Sequence, residues 1–536
     1  TSGQQNVAIG YKSQEDNQVG DFNTTFGYEA GANLLSDSNI AIGRQALKAF
    51  SNSGGGYNVA IGALSLDAAG DVAIFGNVCL GYGTGTSINA TGADGSVIIG
   101  HAAGAVLTSG AGNVLIGRES GTSIDDGGYN TGVGWHTLYT AANACSHNTA
   151  IGYNALGTHN TDGDGRNTAI GSSAGEDITT GTKNVAIGKN ALATSTTALK
   201  CIAIGDSAMS ATATGQAHEG TIAIGVDSQQ NLTTGGGNIA IGVDSLKQNT
   251  TGARNVVMGS YAFDQSSGAT AGASSDNVAI GNSSMGGDFV DDAASNYNVA
   301  VGASTLGGAL DGALQNTAIG HSVLDALTEG DYNTGLGSLA GNSITTGSGN
   351  TVIGANTDPH DAAGINQTLI GYDVQGIGDN YAIIGDGATE RLYAADDVGA
   401  TLYAGSATVQ TSDRRIKEDI NDSVLGLDFV KKLRAVEYKK RQPEDYDESL
   451  KKEMNWYKNG RKPRVLGELD KNKCRTGFIA QEVGEVLSSV GYDDNNDIVE
   501  IDESNTQQMI AYSKLVPPMV KAIQELSAKV EELEAK

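Results

Sequence analysis

The stretch Asn184-Val185-Ala186-Ile187-Gly188 decides how this chain is read. Val185 and Ile187 alternate with Ala186, the period-two sign of a short strand. Gly188 then closes the strand with a residue that suits a turn. The same unit, Asn-x-Ala-Ile-Gly, stands at 6–10, 39–43, 58–62, 148–152, 167–171, 238–242, 277–281 and 316–320. Weaker copies stand at 113–117, 130–134, 255–259, 298–302, 333–337 and 350–354, and degenerate ones at 96–100 and 381–385. With these there are about 22 copies, spaced mostly 17–19 residues apart, a short-period version of the solenoid signature.

One such repeat cannot bury its apolar face alone, so neighbours must stack. At about 4.7–4.9 Å per strand, about 22 strands give a rod of roughly 100 Å. The expected assignment has the Val and Ile of each unit facing the core and the Ala making a tight second contact. The asparagine recurs once per repeat and is expected to stack into a side-chain ladder. A second short element often follows, as in Ser172-Ser173-Ala174-Gly175, and the spacers are turn chemistry, as in Thr179-Thr180-Gly181-Thr182. One strand per repeat makes a thin core. Trimerisation, which sets three such strips around one axis, would remedy that.

Composition agrees with this and narrows the function. Of 536 residues, 76 are Gly and 5 are Pro, which excludes a collagen-like or Pro-rich chain and suits short strands with tight turns. The net charge of −28 repels phosphate backbones and argues against nucleic acid as a partner. No run of about 20 apolar residues points to membrane insertion. The start carries no secretory signal pattern, and opening at Thr1 fits a piece of a longer protein. The four cysteines (Cys79, Cys145, Cys201 and Cys474) are widely spaced and read as small buried hydrophobes. The seven histidines show no ligand spacing, and Asp162-Gly163-Asp164-Gly165 reads as an acidic turn. The segment 493–497 fails the EF-hand pattern at Ile498 and Ser504. Neither a cofactor nor a metal is expected.

The charge balance changes near residue 400. Residues 1–400 hold 11 Lys/Arg against 36 Asp/Glu, and residues 401–536 hold 22 against 25. The expected organisation is a repeat region over 1–395, a linker over 396–411, and a C-terminal domain over 412–536 with a terminal helix over 517–536. In that helix Met519, Ile523, Leu526, Val530 and Leu533 are spaced 4, 3, 4, 3, the a/d seam of a coiled coil. A helix packed within one chain would show a similar stripe. Pro517 and Pro518 suit its first turn.

The C-terminal domain opens with Thr411-Ser412-Asp413-Arg414-Arg415-Ile416-Lys417. A serine hydroxyl needs a base to become a nucleophile, and a lysine lowered by burial can supply one. By spacing alone, Ser412-Asp413 reads equally as a helix N-cap. The segment resembles the opening of the intramolecular chaperone auto-processing domain, peptidase family S74, of phage tail spikes, tail fibres and endosialidases. Ser412, Asp413, Arg415 and Lys417 match that family's opening pattern. Leu433–Tyr438, Gly477–Val483 and Tyr512–Val516 match its later motifs in order.

The resemblance implies a Ser412–Lys417 dyad, cleavage at the Thr411–Ser412 bond, local geometry held by Asp413 and Arg415, and assembly as a homotrimer. The repeats in turn resemble the head repeats of trimeric autotransporter adhesins, which form a trimeric β-roll, and the repeats upstream of chaperone domains in phage tail fibres. Together these imply a mainly β protein: a repeat-built trimeric β-roll or β-helix-like shaft, then a small α+β chaperone domain ending in a coiled-coil helix. The implied role is a virion tail fibre, assembled in the host cytoplasm beside other tail proteins. Its partner would be a bacterial surface glycan or protein. A polysaccharide-degrading tailspike and a bacterial surface adhesin carrying the same chaperone are the other readings. Apart from self-cleavage, no catalytic activity is expected.

Overall fold

The computed structural model describes residues 3–389 apart from 142–143, 162, 212–218, 265–272, 288–292 and 387. Towards the C-terminus it describes 423–439, 441, 445, 473–492, 498–501 and 508–536. The chain divides into two compact units, Thr1–Thr389 and Glu390–Lys536.

The first unit is a β-solenoid shaft. Twenty-two strands of three residues, β1 (Val7–Ile9) to β22 (Ala382–Ile384), form one parallel sheet in which each strand pairs in register with the next. In a typical turn, or rung, β11 (Val185–Ile187) lies between β10 (Thr168–Ile170) and β12 (Ile202–Ile204). Ala186 is level with Ala169 and Ala203. Strands this short hold because almost every other backbone group also bonds to a neighbouring rung. Lys183 donates to the Gly165 carbonyl (2.8 Å), Asn190 to Ser172 (2.9 Å) and Leu192 to Ala208 (2.9 Å). All three have left-handed φ near +55° to +62°, a conformation that costs a non-glycine residue about 1 kcal/mol or more. The cross-rung hydrogen bonds offset that cost.

The expected facing of the strand residues is reversed. Ala186 is buried while Val185 and Ile187 are only half-buried, and the same pattern runs from β2 (Thr24–Phe26) through β21 (Thr368–Ile370). The reason is steric. The shaft interior is narrow, and large side chains such as Leu156, Leu192 and Ile178 enter it from the turns rather than the strand. Opposite them the middle strand residue is most often Ala; where it is larger, as at Ile98 and Leu115, the turn residue four places after the closing glycine is Gly104 or Gly121 rather than a leucine. The segments after each glycine, such as 172–175, are turns that deliver Ala174 to this core, not second strands.

The asparagine ladder forms as expected. The Asn167 side-chain oxygen accepts from both the backbone N–H and the side-chain amide of Asn184 (each 3.0 Å), and the Asn184 amide also donates to the Ala198 carbonyl (2.7 Å). Ser96 continues the ladder through its hydroxyl, which accepts from the Asn113 N–H (3.2 Å). Cys201 and Thr221 replace Asn on two adjacent rungs: the Cys201 N–H still donates to the Asn184 side-chain oxygen, and the Thr221 hydroxyl has no partner among the described residues. A second ladder of buried hydroxyls runs beside the first, as at Ser120–Thr137 (2.7 Å) and Ser228–Ser245 (3.0 Å).

The glycine closing each strand is required by contact as well as by φ. At Gly171, φ is +140°, and a Cβ would lie 2.5 Å from the Gly188 carbonyl oxygen of the next rung.

The second unit is small and α+β. It contains α1 (Leu427–Lys432), an antiparallel pair β23 (Val436–Tyr438) with β24 (Arg475–Gly477), α2 (Ala480–Ser489), a second pair β25 (Val499–Ile501) with β26 (Gln508–Ile510), and α3 (Val516–Glu534). Its core gathers Leu425, Phe429, Val483, Leu487, Ile498 and Leu515.

Candidate functional site

Thr411, Ser412, Asp413, Arg415 and Lys417 lie outside the described residues. The structure instead gives the framework that follows them. The Glu525 carboxylate on α3 accepts the Leu427 N–H at the start of α1 (2.8 Å), supplying a cap that Gly426 lacks a side chain to provide. The Arg434 guanidinium pairs with both oxygens of Glu482 on α2, and this holds the Glu482 carboxyl below the usual range. The Tyr512 hydroxyl accepts the Phe478 N–H (2.9 Å), tying the segment before α2 to the short 3₁₀ turn Tyr512–Leu515 before α3. The sequence motifs at 433–438, 477–483 and 512–516 thus meet in one small body.

Helix α3 uses only part of its surface inside this unit. Pro518 and Ala522 are buried. Met519, Ile523, Leu526, Val530 and Leu533, the seam residues, are all 42–70% exposed. An open apolar groove of about 160 Å³, lined by Phe429, Leu433, Phe478, Leu515 and Met519, adjoins the seam's first residue. Among the described residues the stripe is therefore not the helix's packing face.

The shaft carries a longer uncovered apolar face. The third strand residue is apolar in all 22 strands, from Ile9 to Ile384, and is buried in none of them. The first is Val, Ile or Thr in every strand but the last. These β-branched side chains suit the outer surface of a strand.

Next to this face runs a column that reading the repeats one at a time does not reveal: the residue immediately after each strand-closing glycine. On the five consecutive rungs β5 (Val78–Leu80) to β9 (Thr149–Ile151) it is Tyr82, His101, Arg118, Trp135 and Tyr153. Tyr82 stacks on His101 (5.3 Å between centroids, 23°), the Arg118 guanidinium lies 5.8 Å from the Trp135 ring centre, and Trp135 meets Tyr153 edge-on (5.4 Å, 65°). Glu119 accepts from the His136 ring (2.7 Å) and from Arg118 Nε (3.1 Å), and these two partners hold its carboxyl below the usual range. Aligning the repeats on their glycines and reading down that one position exposes the column.

Burial pushes the Cys79 and Cys145 thiols up to about 12 and Cys201 up to about 11, so these are inert core residues. Cys474 departs from the expectation: it is exposed, on the loop leading into β24. Among the described residues no His, Cys, Asp or Glu cluster is arranged to hold a metal, and no helix is long and apolar enough to cross a membrane.

Residues 412–492 match the family model for the chaperone of endosialidase, peptidase S74. No curated protein matches the sequence. The C-terminal part of this chain is thus similar to that chaperone family over residues 412–492, and it follows a β-solenoid shaft in the sequence.

Proposed function

We propose that the protein is a homotrimeric fibre of the phage tail-fibre kind, whose shaft meets a bacterial surface receptor and whose C-terminal domain assembles the trimer and then cuts itself free. The observation that carries this reading is the pairing of the chaperone match at 412–492 with a shaft that is apolar on one outer column in every rung. An apolar strip about 100 Å long exceeds what a lone soluble chain leaves in water. Two further copies around a common axis would cover it, and the α3 seam would set their register as a coiled coil.

The chemistry proposed for release is a serine–lysine dyad. Neutral Lys417 takes the proton of the Ser412 hydroxyl, and Ser412 Oγ attacks the carbonyl of Thr411. The Thr411–Ser412 peptide bond breaks as Lys417 passes the proton to the departing Ser412 amine, leaving Thr411 as an ester on Ser412 Oγ; water then hydrolyses the ester, freeing the shaft's new carboxyl terminus and restoring the serine hydroxyl. Asp413 and Arg415 hold the local geometry. Stacking long-range strands is slow, because loop-closure entropy opposes it before contacts form, so a C-terminal trimeriser that fixes register would speed it. Cutting it away afterwards leaves the fibre held by kinetic stability.

Denaturing gels and intact mass of the wild type beside Ser412→Ala and Lys417→Ala test the dyad. The expected result is wild type split into pieces of 411 and 125 residues, with both variants whole. Wild type that folds and stays whole would make the domain a permanent trimeriser.

A further inference from the structure

The post-glycine column is not needed for folding. Its longest run of planar groups occupies the rungs β5 to β9, with a shorter one, Tyr11, Tyr28 and Arg44, on β1 to β3, yet the same position holds Ser172, Lys189, Asp206, Val226 and Ser260 on rungs that pair in the same register. The shaft therefore folds with small, charged or aliphatic residues there, and a run of five planar groups is not required for the rungs to pair. They are also left open: Tyr82, Trp135 and Tyr153 are 52%, 48% and 48% exposed.

We propose that the column Tyr82–His101–Arg118–Trp135–Tyr153 is a binding platform for a neutral, linear glycan lying along the shaft axis. This deepens the receptor-binding reading above and rests on it. Three features select this class of ligand. The groups repeat once per rung, at about 4.7–4.9 Å. That spacing is close to the length of one sugar residue in an extended chain, so each pyranose meets one planar group. The exposed parts of Tyr82, Trp135 and Tyr153 offer apolar contact to the C–H groups of sugars, and their hydroxyls and indole N–H offer hydrogen bonds to sugar hydroxyls. Finally, Glu119 and Arg118 are already paired, so they offer hydrogen bonds to hydroxyls without a spare positive charge for an anionic sugar. The net charge of −25 over residues 1–400 also disfavours an anionic polymer.

The test uses full-length Trp456→Phe protein, in which Trp135 is the single remaining tryptophan. Its emission is titrated with neutral linear hexasaccharides of glucose, mannose, galactose and xylose. Saturable change with at least one of them is expected. The affinity of that sugar, measured by calorimetry, should fall about tenfold or more in Trp135→Ala and in Tyr153→Ala, one tenfold step being what a single lost stacking contact is worth. It should not change in Lys189→Ala, a variant of the same column outside the platform. Three results would overturn the proposal: none of the four sugars binds, binding survives Trp135→Ala, or acrylamide fails to reach Trp135 in the assembled protein. Native mass, measured on the same samples, reports on the trimer separately, so a failed platform with an intact trimer removes this site and leaves the fibre reading standing.

Discussion

The shaft and the C-terminal unit solve the folding problem in opposite ways. In the shaft the sheet and both side-chain ladders join each rung to its neighbour, and one set of side-chain roles is used over and over. Asparagine carries the ladder, alanine fills the narrow strand side, a turn leucine fills the rest, and glycine lets the next rung approach. In the C-terminal unit each role is filled once and by distant residues: Glu525 caps a helix that begins at Leu427, and Leu515 packs into a core with Leu425. A repeated structure of this kind spreads its stability along its length, whereas a small body with one core stands or falls together.

The largest effect that would sharpen this contrast is expected at a strand-closing glycine. Gly171→Val places a branched side chain against the Gly188 carbonyl at positive φ and should cost at least about 3 kcal/mol. Limited proteolysis should then nick the shaft near that rung while the C-terminal unit keeps its own melting transition.

Acid comes next. Burial holds the His159 imidazole down at about 4 against an ordinary 6.5, so the unfolded chain binds its proton more readily than the folded one. The stabilising effect of neutral His159 is complete above about 6.5 and is lost as pH falls towards 4, by about 3 kcal/mol in all. Melting curves across that window should show the loss in wild type and a flatter profile in His159→Asn, the difference between the two isolating this group from the shaft's carboxylates.

Asn184→Ala removes a ladder member and leaves the Cys201 N–H and the Ala198 carbonyl without their side-chain partner. A loss of about 2 kcal/mol is expected by thermal denaturation. In the C-terminal unit, Glu525→Ala removes the α1 cap and should lower that unit's stability by about 1 kcal/mol without moving the shaft transition.

Much of the shaft was legible because its signal is repeated. The strands, their spacing, the closing turn and the asparagine ladder all follow from one five-residue unit read many times. The facing of the strand was not legible. Val-Ala-Ile alternates whichever side is the core, and hydrophobicity alone assigns the larger residues inward. Only the turn leucines, whose entry into the interior depends on left-handed φ at residues such as Leu156 and Leu192, show which side of the strand is the interior. In the C-terminal domain the motifs at 433–438, 477–483 and 512–516 placed the framework, and the spacing of Met519 to Leu533 marked a stripe that the fold of one chain leaves exposed. The platform around Trp135 escaped because its members are one per repeat, 17 to 19 residues apart, and no local motif joins them.

We propose that the uncovered Val/Ile face and the α3 seam belong to a three-chain assembly. Native mass spectrometry of the purified full chain, supported by sedimentation at several concentrations, tests it directly. The account predicts a particle of three chains that persists as three shafts after cleavage. A single-chain particle at every concentration would contradict it.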